Sequence, residues 1–330
     1  MSEALALAQS ADAPFGVNPR VGCVLVDAEG IVVGRGYHRG AGTDHAEVVA
    51  LADAGDRARG ATAVVSLEPC RHTGRTGPCT TALVEAGVAR VVFAQSDPTR
   101  EAGGGADVLR AAGVEVIAGV ESDAAEAVNE GWTFAARRGR PMVTWKAAVS
   151  LDGRVAGPDG GPTAITGPQA RASVHELRSR VGAIIVGTGT VLVDDPALTV
   201  RRPGREPAPA PLRVVVGSRS IPAGFRVHDQ TAPTLFLDER VPEVVLATLF
   251  TLGVRHALLE GGPTLAAAFV AAGVVDRVEW YVAPVLLGAG PVAMPRVDGQ
   301  RLLGVDVVEV GMVGEDVHIV GRVNYQDSEH

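Results

Sequence analysis

The sequence is short of cysteine, of aromatic residues and of clustered positive charge, and each shortage argues against a class of protein. Three cysteines in 330 residues are too few for the disulfide framework of a secreted protein. We therefore expect a reducing cytoplasm, with thiols free to bind metal. No more than two Lys or Arg residues are adjacent and the net charge is −8, which argues against a nucleic-acid partner.

Features of membrane proteins are also lacking. No apolar run approaches the ~20 residues that a membrane-spanning helix needs. The first eleven residues contain an acid and no basic residue, so they do not resemble a signal peptide. We therefore expect a small-molecule substrate, with neither a membrane nor a nucleic acid as partner.

Aliphatic residues and glycine dominate what is present: 46% of the residues are apolar and only 4% are aromatic. Branched aliphatic side chains are typical of strands covered by helices. The length allows two domains, at about 100–200 residues each. A charged stretch punctuated by Gly and Pro, Arg137–Pro141, is the predicted boundary, which gives domains 1–140 and 141–330.

Strand and helix patterns alternate in the first half, as in a three-layer α/β sandwich. The predicted strands are Val21–Asp27, Ile31–Tyr37, Ala63–Leu67, Val91–Ala94 and Val114–Ala118, the first two forming a hairpin. The predicted helices are His45–Ala54, Thr80–Ala86 and Ala106–Ala112.

The second half carries a different α/β series, and the chain shows no internal repeat. Its predicted strands are Val143–Ala148, Ala183–Val186, Arg213–Val216, Arg255–Glu260, Val278–Ala283 and Val317–Arg322. Its predicted helices are Gln169–Arg180 and Thr264–Ala272. The Pro- and Arg-rich segment Arg201–Pro211 is predicted to be an exposed loop.

One His and two Cys have the arrangement of a catalytic zinc site. His45 opens a predicted helix, Cys70 follows a predicted strand, and Cys79 begins the next helix. A helix N-terminus favours a thiolate through its dipole and free N–H groups. Three protein ligands leave the fourth tetrahedral position for water, whereas a structural zinc normally has four. Cys23 falls on a predicted core strand and is interpreted as a packing residue.

Glu47 lies two residues after His45, so it cannot point in the same direction as the metal ligand on a helix. It is placed to move protons between the zinc water, a ring nitrogen and a leaving amine. H-x-E followed by Pro-Cys and a second Cys is the signature of nucleobase deaminases. The alternative, that these are unrelated core or surface residues, would be preferred for a lone H-x-E.

Longer motifs extend around these residues and continue past the predicted boundary. They are Asn18–Gly22, Gly36–His38, His45–Val48, Glu68–Cys79, Trp145–Arg154, Gly187–Arg201 and Glu260–Leu265. Together they resemble the bifunctional deaminase–reductase family of riboflavin biosynthesis over nearly the whole chain. The long gap between the two cysteines separates this family from C-x-x-C nucleoside and tRNA deaminases. Arg71 and Gly77 stand where the family usually has Ser and Pro, and neither is a predicted ligand.

The resemblance implies a cytidine-deaminase-like sandwich followed by a dihydrofolate-reductase-like domain, with zinc and NADPH as cofactors. The implied activity is deamination of a diaminohydroxy-phosphoribosylaminopyrimidine, then reduction of its ribosyl group to ribityl. The NADPH site would be lined by Ala148, Thr190, Asp194, Ser218, Gly262, Pro263, Thr264 and Leu265. The substrate site of the reductase would be lined by Arg178, Leu198, Arg201 and Glu260.

The residues alone support the second domain less strongly. Gly261-Gly262-Pro263 between a strand and a helix is a candidate anion-binding turn, although a Gly pair is more often only a tight turn. Thr188-Gly189-Thr190 is predicted to be a similar turn. No G-x-G-x-x-G follows the first strand, so a Rossmann domain is disfavoured. Without the resemblance, Arg178 would be assigned to a solvated helix face and Arg201 to a loop.

Several alternatives stay open at this stage. The second domain could be only a binding or dimerisation module, the first could edit nucleic acids, or the zinc could stabilise a silent scaffold. Homo-oligomer formation is compatible with the sequence, and the preference for NADPH over NADH rests on the resemblance alone. Ala164 replaces a Trp common in the family, so cofactor affinity or reductase efficiency is expected to differ.

Overall fold

The computed structural model describes residues 1–10, 13–73, 77–161, 163–202, 204, 210–295 and 303–325. The chain divides into two compact units, Met1–Gly139 and Arg140–His330, each with its own hydrophobic core. Arg140 belongs to the second unit through two hydrogen bonds to Asp276, of 2.8 Å from Nη1 and 2.7 Å from Nη2. Among the helices in the described ranges, none has the length and apolar character to cross a membrane.

The first unit is built on one five-stranded sheet. Its strands are β1 (Gly22–Val26), β2 (Val32–Tyr37), β3 (Thr62–Leu67), β4 (Arg90–Gln95) and β5 (Glu115–Ala118), in the order β2-β1-β3-β4-β5. Strand β1 is antiparallel to both neighbours, while β3, β4 and β5 are parallel. The helices are α1 (Ser2–Ala8), α2 (Ala46–Ala54), α3 (Cys79–Glu85), α4 (Gly105–Ala111), α5 (Ser122–Val128) and α6 (Glu130–Arg138).

Helices cover both faces of this sheet, which makes three layers. The alanines of α2 pack with Cys23 and Leu25 of β1 on one face, and Leu5 of α1 packs with Ala94 and Ala125 on the other. A Cβ at Gly36 of β2 would overlap the backbone at the start of α2. Glycine therefore lets α2 lie directly on the sheet, which fixes the position of the His45 that precedes it.

The second unit is built on an eight-stranded sheet in the order β12-β13-β11-β6-β10-β7-β8-β9. Its strands are β6 (Met142–Ser150), β7 (Ala183–Gly187), β8 (Leu212–Val216), β9 (Thr234–Leu237), β10 (His256–Leu259), β11 (Arg277–Ala283), β12 (Leu303–Val313) and β13 (Asp316–Tyr325). Its helices are α7 (Pro168–Arg178), α8 (Thr188–Asp194), α9 (Pro242–Thr251) and α10 (Pro263–Ala271). Six neighbouring strands, β11 to β9 in that order, are parallel, and β13 and β12 close the sheet in antiparallel fashion.

Parallel strands place their carboxyl ends at one edge of the sheet, and loops at that edge are where ligands bind in α/β domains. The turns after β7, β8, β9 and β10 all meet there. Successive side chains of β6 point to opposite faces of the sheet. Trp145, Ala147 and Val149 enter the main hydrophobic core, while Lys146 and Ala148 lie on the other face.

The structure differs from the sequence prediction in several elements. Thr188-Gly189-Thr190 is not a turn but the start of α8, because Gly187 adopts the extended N-cap conformation and Val191 is buried. Strands β9 and β12 and helices α5, α6 and α9 were not predicted. Within the predicted loop Arg201–Pro211, residues 203 and 205–209 lie outside the described ranges.

Candidate active sites

The three predicted zinc ligands come together in the first unit. Their ligand atoms lie within 4.8 Å of one another. His45 Nδ1 is 3.1 Å from Cys79 Sγ and 3.5 Å from Cys70 Sγ. Tetrahedral zinc, with bonds of about 2.0–2.3 Å, holds N and S ligands roughly 3.5 Å apart. The donor set and its spacing therefore fit a zinc ion bound through Nδ1 and two sulfurs.

Each ligand stands at an element boundary. His45 is the N-cap of α2, Cys79 is the first residue of α3, and Cys70 follows β3. The Cys79 N–H donates to Cys70 Sγ at 3.4 Å, as expected for a free N–H at a helix start. The sequence thus places two ligands at helix starts, and the short segment after β3 brings Cys70 beside them.

The thiols carry unequal charge in the metal-free protein. The hydrogen bond from Cys79 lowers the pKa of Cys70 to about 4, and the same contact, with burial, raises the pKa of Cys79 well above its usual range. One sulfur is therefore a thiolate and its neighbour keeps its proton. Metal binding must displace that second proton, which couples zinc affinity to pH.

Glu47 lies in the first turn of α2 and is only 4% exposed. Burial raises the pKa of its carboxyl to about 7, and the negative charge of Cys70 acts in the same direction. A carboxyl poised near neutral pH both accepts and returns a proton, as a general acid–base requires. It is held by the same helix start that presents His45.

Glu68 is a positioning residue that the sequence interpretation did not single out. Its buried carboxylate accepts hydrogen bonds from the backbone N–H groups of Gly104 (3.2 Å), Ala106 (2.9 Å) and Asp97 (3.2 Å). A Cβ at Gly105 would overlap the Pro69 carbonyl oxygen. This close contact holds the segment before α4 against Pro69 and Cys70. Ala102 of that segment packs on both zinc-ligand cysteines.

A second histidine lies beside the metal site. The ring of His38 meets that of His45 edge-on at 5.4 Å. Its Nδ1 is 3.1 Å from the Asp44 carbonyl oxygen, and its Nε2 is 2.9 Å from the amide nitrogen of Asn18. Burial lowers the pKa of His38, so the neutral ring donates through Nδ1 and accepts from Asn18.

His72 Nδ1 is buried without a hydrogen-bond partner in the described part of the chain. Gly74, Arg75 and Thr76 of the same motif lie outside it.

In the second unit, two of the four predicted substrate residues form a buried ion pair. Arg178 donates to Glu260 through Nε at 2.6 Å and through Nη2 at 2.8 Å. The third donor, Nη1, reaches the Thr199 carbonyl oxygen at 3.1 Å. Arg178 is therefore not on a solvated helix face. Burial alone would raise the pKa of Glu260, but the charge and hydrogen bonds of Arg178 outweigh it and the pKa is lowered.

Lys146 completes this cluster and was missed from the sequence. It projects from β6 to the face that also carries Ala148, and its charge interacts with those of Glu260 and Arg178. Burial lowers the pKa of its ammonium group. Only its place in the Trp145–Arg154 motif could have drawn attention to it, because its two charged neighbours come from distant segments.

The other two predicted substrate residues differ in character. The backbone N–H of Arg201 donates a hydrogen bond to Nδ1 of His175, on α7, at 3.2 Å. The side chain of Leu198, in contrast, is buried in a hydrophobic cluster with Val181 and Ile184, and its backbone has a φ of 50°. Leu198 could contact a ligand only through its backbone.

The predicted cofactor residues fall on the carboxyl edge of the sheet. Thr190 Oγ1 accepts a hydrogen bond from the Gly262 N–H at 3.0 Å, which joins α8 to the start of α10. Gly262 is the N-cap of α10, and Pro263, Thr264 and Leu265 form its first turn. Ala148 lies near the end of β6, and Ser218 follows β8. Asp194 is the last residue of α8, and partial burial raises its pKa.

Comparison with known proteins agrees with this two-site arrangement. Residues 1–95 match the cytidine and deoxycytidylate deaminase zinc-binding region, and residues 141–319 match the RibD C-terminal domain. The chain therefore joins a zinc-binding deaminase region to a reductase domain.

Full-length relatives show the same combination. Riboflavin biosynthesis protein RibD of Mycobacterium tuberculosis H37Rv is 51% identical over 83% of this chain and 80% of its own length. RibD of Escherichia coli K12 is 39% identical over 97% of this chain and 98% of its own length. The solved structure of Acinetobacter baumannii RibD (form 1) superposes with a TM-score of 0.89 at 35% identity, covering 98% of each chain. The chain belongs to the RibD family of bifunctional deaminase–reductases of riboflavin biosynthesis.

These findings confirm the family resemblance, the two-part α/β fold and the bifunctional activity. A Thermotoga maritima relative described as a diaminohydroxyphosphoribosylaminopyrimidine deaminase/5-amino-6-(5-phosphoribosylamino)uracil reductase also superposes, with a TM-score of 0.88 at 30% identity over 98% of this chain and 97% of that one. No relative reported above supports a nucleic-acid-editing or silent-scaffold role.

Proposed function

We propose that residues 1–140 deaminate a diaminohydroxy-phosphoribosylaminopyrimidine and that residues 141–330 reduce the ribosyl group of the product to ribityl with NADPH. The observation that carries the first half is the grouping of His45, Cys70 and Cys79 beside the buried Glu47. Zinc held by these three ligands would activate a water for attack on the ring carbon that bears the amine.

Glu47 is the group that moves protons in this reaction. It would accept a proton from the attacking water and deliver protons to the ring nitrogen and the leaving amine, so that ammonia departs. Its position two residues after His45, on the same helix start, keeps it beside the reacting atoms. The buried Nδ1 of His72, which follows the ligand Cys70 by two residues and has no partner among the described residues, would be available for a polar contact with the substrate.

In the second unit, NADPH would lie along the carboxyl edge of the sheet, against Ala148, Thr190, Gly262 and the first turn of α10. The phosphoribosyl substrate would lie near Arg178, Arg201 and Glu260, since guanidinium groups suit phosphate. The reduction needs one hydride, from NADPH, and one proton. Lys146, whose pKa is lowered by burial among these residues, is the acid that we assign to the proton.

A coupled assay tests both halves in the full-length protein, by following ammonia release and NADPH oxidation with the phosphoribosylaminopyrimidine substrate. We expect both signals, with reduction dependent on deamination. Glu47→Gln should abolish ammonia release while zinc stays bound. Full activity of that variant, or ammonia release without NADPH oxidation by the wild type, would contradict the corresponding half of the proposal.

We also propose that the protein works in the cytoplasm and pairs with a second copy of itself. The three cysteines are free thiols, as a reducing compartment requires. Strand β12 is an eleven-residue edge strand, and five of its apolar side chains, at 305, 307, 308, 310 and 312, are 40–64% exposed. Packing of this apolar surface against the same surface of a second copy would bury these side chains in a closed two-fold dimer.

A further inference from the structure

The segment of residues 17–21, which leads into β1, belongs to neither a helix nor a strand, yet it meets the surroundings of the metal site. Its Asn18 donates from the side-chain amide to His38 Nε2 at 2.9 Å, and His38 Nδ1 donates to the Asp44 carbonyl oxygen at 3.1 Å. Asp44 directly precedes the ligand His45, whose ring lies edge-on to that of His38. The conformation of this segment therefore affects the backbone that presents a zinc ligand.

One buried amide holds the middle of this segment. Asn129, the N-cap of α6, is 4% exposed and lies 109 residues from Arg20 in the sequence. The Arg20 N–H donates to Asn129 Oδ1 at 2.8 Å, and Asn129 Nδ2 donates to the Arg20 carbonyl oxygen at 2.9 Å. An Asn side chain carries a donor and an acceptor, as a peptide group does, so Asn129 pairs with this backbone as a neighbouring strand would.

Two further hydrogen bonds anchor the ends of the segment. Trp132, three residues further along α6, donates from Nε1 to the Val17 carbonyl oxygen at 3.1 Å. At the other end, the N–H of Gly22, the first residue of β1, donates to Ser66 Oγ at 3.0 Å. Because both ends are fixed in this way, the side chain of Asn129 decides the conformation of the residues between them.

We propose that Asn129 is a positioning residue of the deaminase, which fixes the Arg20 backbone, so that Asn18 meets His38 and the backbone before His45 is held in place. This inference rests on the deamination proposed for residues 1–140. Helix α6 is then part of the deaminase machinery, although it supplies no group to the reacting atoms. Small displacements of a catalytic group lower the rate strongly, so the effect of Asn129 is measurable at the zinc site.

The test is steady-state ammonia release by the full-length, zinc-loaded protein with the phosphoribosylaminopyrimidine substrate. Asn129→Ala should lower kcat at least about tenfold and leave KM within about twofold, because a misplaced zinc ligand weakens the transition state more than substrate binding. Thr133→Val is the matched control. Thr133 is also a buried polar residue of α6, but its Oγ1 accepts a hydrogen bond from Gln95 Nε2, at 2.8 Å, so kcat should stay at the wild-type value.

Two measurements separate positioning from a general loss of stability. Asn18→Ala breaks the same series of contacts closer to the metal, so adding Asn129→Ala to it should lower kcat by less than about twofold more. Co²⁺ in place of zinc takes the same nitrogen and sulfur ligands, and its visible spectrum reports their geometry. That spectrum should shift in Asn129→Ala and stay unchanged in Thr133→Val.

An unchanged kcat in Asn129→Ala, equal losses in Asn129→Ala and Thr133→Val, or additive losses with Asn18→Ala would each overturn the inference while leaving deamination in place. A wild type that releases no ammonia would overturn the proposed function as well. Trp132→Phe is the second variant if Asn129→Ala does not fold, since it keeps an aromatic ring and removes the hydrogen bond to Val17. Its kcat should fall about threefold, the value of one modest hydrogen bond, and a wild-type kcat would count against the inference.

Discussion

Arg178 and Glu260 face each other through two parallel hydrogen bonds, 2.6 and 2.8 Å long, with side chains that are only 13% and 9% exposed. This pair ties α7 to the residue that follows β10. Because the two charges are almost fully desolvated, each depends on the other. The pair therefore links the stability of the second unit to the groups that we assign to its substrate.

Replacing one member of this pair should lower the stability of the second unit more than replacing both. Arg178→Ala leaves the Glu260 carboxylate buried without its bidentate partner, and we expect a loss of about 3 kcal/mol or more in the free energy of unfolding of the second unit. The double variant Arg178→Met/Glu260→Gln should recover part of that loss. Chemical denaturation of both proteins measures it, and equal stability of the single variant and the wild type would contradict the assignment.

The second unit should become less stable as the pH is lowered, because of the ionisation of His256. Its ring, hydrogen-bonded to Thr144 Oγ1 at 2.8 Å, is largely removed from solvent, and this desolvation lowers its pKa from 6.5 to about 4. Between these pH values the unfolded chain binds a proton that the native protein does not. The free energy of unfolding should therefore drop by roughly 3 kcal/mol as the pH is lowered across that window.

Tryptophan fluorescence measures this effect. Trp145 and Trp280 meet edge-on at 4.8 Å in the second unit, and Trp132→Phe removes the tryptophan of the first unit. Denaturation curves of the Trp132→Phe protein at several pH values should show the free energy of unfolding falling as the pH is lowered. Adding His256→Leu should make that dependence on pH weaker. An unchanged slope in His256→Leu would assign the acid sensitivity to other groups.

Zinc binding should depend on two of the three cysteines. Cys70→Ser and Cys79→Ser each remove a ligand, so we expect loss of most bound zinc and of ammonia release. Cys23→Ala is the matched control, because Cys23 is buried in the core of the first unit and is not one of the three grouped ligands. Metal analysis after dialysis distinguishes the variants. Loss of zinc from the Cys23→Ala variant would refute the assignment of Cys23 as a packing residue.

The contact between Gly105 and Pro69 should be necessary for deamination. A Cβ at Gly105 overlaps the Pro69 carbonyl oxygen, so Gly105→Ala must displace the segment that carries Cys70. We expect at least about a tenfold fall in kcat/KM for ammonia release. Gly77→Ala, where a Cβ meets nothing within 4 Å, serves as the control and should stay close to wild type. Similar kinetics for both variants would argue against this positioning role.

Self-association through β12 should be sensitive to one charge. Val310→Lys places a cation on the exposed edge strand, where it opposes pairing with a second copy. Val244→Lys, at a similarly exposed valine of α9, is the control. Sedimentation velocity should show a dimer for the wild type and the control and a monomer for Val310→Lys. A dimeric Val310→Lys would place the interface elsewhere.

The zinc site could be predicted because its geometry is local. His45 and Cys79 stand at helix starts and Cys70 follows a strand, and hydrophobic periodicity and helix N-caps mark such boundaries in a sequence. The predicted cofactor and substrate residues remain predictions, but the structure brings Thr190 to Gly262 and Arg178 to Glu260.

Other features could not be predicted because they depend on contacts between distant segments. Lys146 acquires its role only when β10 and α7 bring Glu260 and Arg178 beside it. Helix α8 was taken for a turn, since Thr and Gly are weak helix formers and burial of Val191 overrides that preference. Strand β12 lacks a regular alternation in its sequence because a bulge between Val307 and Glu309 shifts its register. The side chains of Val305, Val307, Val310 and Met312 therefore lie opposite alternate residues of β13, on one face.

The order of strands has a consequence for how the protein is made on the ribosome. The three predicted zinc ligands lie between residues 45 and 79, so their grouping can assemble while the second half is still being synthesised. Strand β6, by contrast, is the first strand of its sheet to emerge, yet both its neighbours, β10 and β11, are among the later ones. This apolar strand must wait more than 100 residues for a partner, which makes the reductase half the slower to fold and the one more exposed to aggregation during synthesis.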